Sequence, residues 1–359
     1  MATKKKSDSI ISTLGVPFLS ILLGFILGAV IMLIFGYNPI QAYSVMFQGV
    51  FASPYFLGEA ILQASILTFT GLAFSIASKG GFFNIGIAGQ FLAGWLAAVA
   101  FGLAFPDIPR VIMVPLILLV GIVVGALYAG IAGVLRAYFG TSEVIVTIML
   151  NHTMVQISNY LTNFVIGSGN RTEAVGPNAS LRLDFLTDLT GGSRLNMGIF
   201  IAIIVVILYK IFMDQTTMGF EIKSVGLNPD AAQYAGMSAK KNIILSMLIS
   251  GGLAGLGGVI SGIGTFGNMF VQSGLPTEGF NGIAVGLLGM GNPIGIFLSA
   301  LLFGVLEVGS KFMPTQAGIP DELSEVVIAA IIFFIGANYI IRLVLNKFTA
   351  KDVAKEGGQ

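Results

Sequence analysis

The chain has 359 residues, of which 55% are hydrophobic and 10% charged, against about 25% charged in a soluble domain, so an ordinary soluble protein is excluded. A formal net charge of +1 supplies no basic field for nucleic acid, and the absence of cysteine rules out disulfides, haem attachment and thiolate metal sites. The 48 glycines suit helices whose backbones approach closely inside a bilayer.

In chain order, the basic start MATKKKSDS leads into an apolar run from Leu14 to Phe35. That run exceeds the roughly 7–15 apolar residues of a signal peptide, so an uncleaved first span is expected. A span needs about 20 apolar residues, and further spans are predicted at residues 58–78, 85–105, 111–135, 142–165, 196–213, 243–265, 293–311 and 322–345. The segment Phe280–Met290 is half that length and ends at Gly291-Asn292-Pro293. It reads as a half-length crossing, tolerable only where protein or water surrounds its ends. The expectation is an all-α polytopic membrane protein of about ten transmembrane helices, one of them short or broken, within a single transmembrane domain over residues 1–359.

Ten crossings with both termini on one side put thirteen of the eighteen Lys and Arg residues there and leave Arg110, Arg171, Arg182, Arg194 and Lys311 opposite. Excess positive charge marks the cytoplasmic side. Both termini and the 214–242 loop are therefore expected inside, and the 166–195 loop outside. GFFNIGIAG at Gly81–Gly89 and GFNGIAVG at Gly279–Gly286 align with one gap and would run in opposite directions, as in an inverted-topology repeat.

The sequence contains no G-x-x-x-x-G-K-[ST] loop, HExxH or nucleophile elbow, and no dinucleotide-binding strand–turn–helix is read in it, so it is not read as an enzyme. An ion-coupled carrier would need titratable groups inside the membrane. Glu143 and His152, nine residues apart, and Glu307 and Glu325 are the candidates; Glu143 lies close enough to the interface to be solvated, and His152 reads as a packing residue.

Residues 226–242, GLNPDAAQYAGMSAKKN, are more informative. Asn228 is a good N-cap, Pro229 suits the first turn, Asp230 complements the helix dipole and Gly236 can end the helix. About two turns follow, roughly 10 Å long. Ala231, Ala232 and Ala235 leave a surface open to close approach, with Tyr234 as a possible anchor. An ordinary loop helix would read the same way.

GFFNIGIAGQ at Gly81–Gln90, TIMLNHTMVQISNYL at Thr147–Leu161, GLNPDAAQYAGM at Gly226–Met237 and GFNGIAVGLLGMGNPIG at Gly279–Gly295 together resemble the permease subunits of bacterial ABC importers. The resemblance is to the nucleoside (guanosine-type) branch of the class that also serves simple sugars and branched-chain amino acids. It implies a ten-helix inverted-repeat permease in the bacterial cell membrane, paired with a second homologous permease as a heterodimer. A cytoplasmic ABC ATPase with tandem nucleotide-binding domains would drive it, and an extracellular substrate-binding lipoprotein would feed it. This chain would hold no cofactor, with ATP and Mg on the ATPase, and the family's coupling helix would fall on Asn228–Gly236. Family members often read FNIGxEGQ, whereas Ala88 precedes Gly89-Gln90 here.

A nucleoside is uncharged, so its path needs amides and apolar or aromatic walls. Asn84, Gln90, Asn151, His152 and Asn281 are the path candidates, with helix-to-helix hydrogen bonding as their alternative employment. The competing functions are an importer of the same class for a simple sugar, an ion-coupled secondary carrier and a passive channel.

Overall fold

The structure, a computed structural model, describes residues 2–167 and 169–337. Among them all named elements are helical, in the order α1 (Ala2–Ile34), α2 (Pro39–Phe51), α3 (Pro54–Lys79), α4 (Ile87–Ala104), α5 (Arg110–Phe139), α6 (Glu143–Phe164), α7 (Asp184–Leu189), α8 (Gly198–Gln215), α9 (Thr217–Leu227), α10 (Pro229–Tyr234), α11 (Ala239–Val259, continued as a π-helix over Ile260–Phe266), α12 (Thr277–Leu288), α13 (Pro293–Ser310), α14 (Phe312–Ala317) and α15 (Asp321–Gly336). Starts and stops follow local chemistry. Ser53 caps α3 ahead of Pro54, Thr216 caps α9, Ser238 caps α11, and α5 ends on Gly140 in the left-handed region that glycine adopts without penalty.

Seven of the described helices, α1, α3, α4, α5, α8, α11 and α13, are long and apolar enough to cross a membrane. The polar residues Asn151, His152 and Gln156 dilute the 22-residue α6, and α12 is half-length. The predicted span at 322–345 begins as α15; its part after residue 337, with the C-terminal lysines, lies outside the described residues. The chain is thus an all-α polytopic membrane protein. The sequence reading had no place for α2, and the 214–242 segment holds a second helix, α9, besides the expected α10. The short crossing starts at Thr277, three residues earlier than expected, and stops before Met290, whose φ of 52° is the only positive value among described non-glycine residues.

The described residues form two compact units, one within residues 52–305 and one of residues 2–51 with 306–337. In the smaller, α1 packs on α15 through glycine: a Cβ at Gly24 would lie 2.6 Å from the Ile331 Cα. Tyr43 on α2 donates to the Phe25 carbonyl at 2.7 Å.

In the larger unit α11 is central, packed against α3, α4 and α5. Gly121 and Gly125 of α5 face Gly251 and Gly255 of α11, and a Cβ at Gly125 would sit 2.9 Å from the Gly255 Cα. Without a hydrophobic drive between helices in lipid, such small-residue faces let van der Waals contact hold them together. Helix α4, which opens on the first glycine motif, lies against α11, and α12, which opens on the second, lies against α3. The motifs meet where a Cβ at Gly279 would fall 2.6 Å from Ala88, so position 279 has no room for a side chain.

Candidate functional site: a paired amide network and an open polar face on α6

Three of the five path candidates converge where the 80–86 turn enters α4. Asn84 Nδ2 donates to Gln90 Oε1 and to Ser250 Oγ, both at 2.9 Å. Its Oδ1 accepts from the Gly86 backbone N at 2.9 Å and from Gln90 Nε2 at 3.1 Å. Ser250 Oγ passes its own proton to the Ala73 carbonyl at 2.6 Å, which ties the turn to both α11 and α3. Asn151 of α6 spans the same entry: its Oδ1 accepts from Gly89 N at 2.8 Å and its Nδ2 donates to the Ile85 carbonyl at 2.9 Å. All four side chains are buried. Gly89 N belongs to the first turn of α4, whose amides have no partner within the helix, so Asn151 caps it from α6, while Asn84 holds the N-cap residue Gly86 two positions on.

The other two candidates are placed elsewhere. His152 is exposed, about 100° around α6 from Asn151, and Asn281 is half-buried on α12. Thr153, Gln156 and Tyr160 are exposed with His152 at helical spacing, as a polar and aromatic stripe on a face shared with the exposed Ile145, Met149 and Phe164. A polar stripe on a membrane helix must meet protein or water. The buried side of α6 is unlike it: the Ser158 and Thr162 hydroxyls have no hydrogen-bond partner. Glu143 is paired with Arg136 at 3.3 Å.

At the Lys79 end of this unit, α10 matches the sequence expectation. Asn228 Oδ1 accepts from Ala231 N at 3.0 Å, Pro229 opens the helix with Asp230 in its first turn, and Gly236 follows at φ 86°. Ala231, Ala235 and Gly236 are exposed and Tyr234 is 95% exposed, whereas Ala232 is buried.

Sequence reasoning missed three participants. Ser250 lay unremarked among glycines, its partner 166 residues away. Glu59 is a carboxylate inside an apolar run, which is itself a functional signal. It accepts from Arg194 N at 2.7 Å and from Arg194 Nε at 3.0 Å, and pairs with Nη2. Hydrogen bonding to this carboxylate raises the Arg194 pKa further above its ordinary value. Third, Trp95, the chain's one tryptophan, donates to the Asn268 carbonyl at 2.9 Å and stacks on Phe266 at 5.3 Å between ring centres, at the end of the π-helical segment.

Residues 56–336 match the family described as the permease component of branched-chain amino acid transport systems. The chain is 47% identical over 354 residues to the nucleoside ABC transporter permease protein NupB of Lactococcus lactis subsp. cremoris, covering 96% of this chain and 97% of that one. It is 43% identical to the guanosine ABC transporter permease protein NupP of Bacillus subtilis, covering 95% and 98%. It is 27% identical to NupC, a second nucleoside ABC transporter permease protein of the same Lactococcus, covering 83% and 93%. No solved structure matches. With its multi-pass helical unit and this match over most of its length, the chain belongs to the family of permease components of branched-chain amino acid transport systems, and it is a transporter subunit, not an enzyme.

Proposed function

We propose that the chain is one of two permease subunits of an ATP-driven importer that brings nucleosides into a bacterial cell. The observation that carries this reading is α10, a self-capped helix with an exposed alanine surface in a chain that has no nucleotide-binding loop of its own. It is shaped to dock on a separate cytoplasmic ABC ATPase with tandem nucleotide-binding domains, which holds the ATP and Mg. An extracellular lipoprotein delivers the substrate. Near full-length similarity to NupB and NupP supports the nucleoside, and weaker similarity to a second permease of the same Lactococcus supports a heterodimer. Segregation of the basic residues supports cytoplasmic termini and an outer 166–195 loop.

In this reading the path follows the open stripe of α6. His152, Thr153 and Gln156 offer hydrogen bonds and Tyr160 an aromatic face to an uncharged base and sugar. Asn281 on the short crossing α12 belongs to the path, and Asn84, Gln90 and Asn151 keep its wall in shape.

Reconstitution with the ATPase, the second permease and the lipoprotein tests the proposal. Guanosine should enter proteoliposomes only with ATP, without sensitivity to a protonophore, and Ala235→Arg should abolish both uptake and ATPase association while leaving permease abundance unchanged. Full uptake by Ala235→Arg without a bound ATPase would point to an ion-coupled carrier. ATP-driven uptake of a simple sugar in place of guanosine would reassign the substrate.

A further inference from the structure

Where α9 meets the end of α3, the two elements touch at a point where no side chain can exist. A Cβ at Gly226, the penultimate residue of α9, would be driven into the Lys79 carbonyl oxygen at the end of α3 and would lie 2.8 Å from Gly81 N. From the other side, Gly81, at φ 77°, would place a Cβ 3.1 Å from the Gly226 Cα. The contact is backbone against backbone, and neither position accepts even alanine without displacement; Gly81 in addition holds a left-handed conformation that L side chains rarely adopt.

What lies on each side of this contact gives it direction. On one side, α9 is held to α11 by Asn242 Nδ2 donating to Glu221 Oε2 at 2.9 Å, and it runs directly into α10 at Asn228, whose own N–H still bonds to the Ser224 carbonyl of α9. A displacement of α10 therefore moves α9 with it. On the other side, Gly81 lies in the 80–86 turn, whose one polar side chain, Asn84, is committed to α4 and α11 and whose Ile85 carbonyl is bound by Asn151 of α6. Asn151 grips both Ile85 and Gly89, so the turn cannot shift without carrying α6. The residue after Asn151 is His152, the start of the open stripe.

We infer that the Gly226–Gly81 contact is the joint through which displacement of α10 reaches α6, with Gly226, Gly81 and Asn151 as positioning residues. The inference rests on the reading of α10 as the ATPase-docking helix. Interfaces packed this closely switch between discrete arrangements more readily than they deform, so a joint without side chains transmits a push with little loss. A competing route exists through α11, which follows α10 in the chain.

The cysteine-free chain allows an environment-sensitive fluorophore to be placed at Gln233→Cys on α10 or at the exposed Ile148→Cys on α6, in the full importer. In the otherwise unmodified background both should respond to ATP. Adding Gly226→Ala should keep the Gln233 response and ATPase association, abolish the Ile148 response, and, without labels, lower uptake per ATP about tenfold, within the range of coupling between linked sites. Glu221→Ala, which unties α9 without adding an atom at the joint, should uncouple in part, and Glu221→Gln, which keeps an acceptor, should not. If Gly226→Ala does not accumulate, Glu221→Ala decides alone. A silent Gln233 label in the otherwise unmodified background would overturn the docking role of α10 itself. An Ile148 response and uptake per ATP that persist in Gly226→Ala, or in Glu221→Ala when it decides alone, would overturn the joint and assign transmission to α11.

Discussion

The two sides of α6 differ in how their polar groups are spent. Toward α4, Asn151 has its donor and acceptor both engaged, 2.9 and 2.8 Å from backbone partners, and it joins a turn where Asn84, Gln90 and Ser250 answer one another. On the open side, one residue on, His152, Thr153, Gln156 and Tyr160 face away from the unit. Buried amides bonded to backbone and to one another give a rigid reference point, whereas the outward side chains, of which Thr153 bonds its own helix at the Met149 carbonyl (2.8 Å), are open to a partner, a substrate or water.

The comparison breaks most visibly in the network. Asn84→Leu would leave Gly86 N and the Gln90 amide buried without partners. At about 1–3 kcal/mol for each unsatisfied group, the expected loss is about 3 kcal/mol, seen as low abundance and a lowered unfolding midpoint in detergent. Unchanged stability would mean the amides are not a structural brace. A smaller effect of opposite sign is expected on α6. Thr162→Val removes a buried hydroxyl that has no partner, and it should raise stability by about 1 kcal/mol; a fall would show that this hydroxyl is satisfied in the working protein. The smallest effect on stability belongs to α10: Tyr234→Ala, at a side chain 95% exposed, should stay within about 0.5 kcal/mol of the parent while weakening ATPase association in pull-down. Equal association would remove Tyr234 from the docking surface.

Much of this was legible in the sequence because its causes are local. The cap at Asn228, the stop at Gly236 and the break at Gly291-Asn292-Pro293 each depend on residues within one turn, and the structure has all three. Helix α2 also begins on a local signal, Asn38 Oδ1 accepting from Ile40 N at 3.0 Å. It went unread because Gln41, Tyr43, Ser44 and Gln48 break an apolar run already too short to span. The employment of the amides was not legible, since Asn84 meets Ser250 across 166 residues and Asn151 meets Gly89 across 62. Distance in sequence hid the Glu59–Arg194 pair in the same way, and a glycine such as Gly226 reveals its role only when the backbone it touches is known.

Chemical access to Gln156 in the assembled importer tests the account's central claim most directly. Gln156→Cys should react with a membrane-impermeant maleimide, and guanosine delivered by the lipoprotein should slow that reaction, because the open stripe of α6 is where the substrate passes. A cysteine at this position that reacts at the same rate with and without guanosine, or that never reacts while the importer turns over, would contradict the account and make the stripe a contact with lipid or with the second permease.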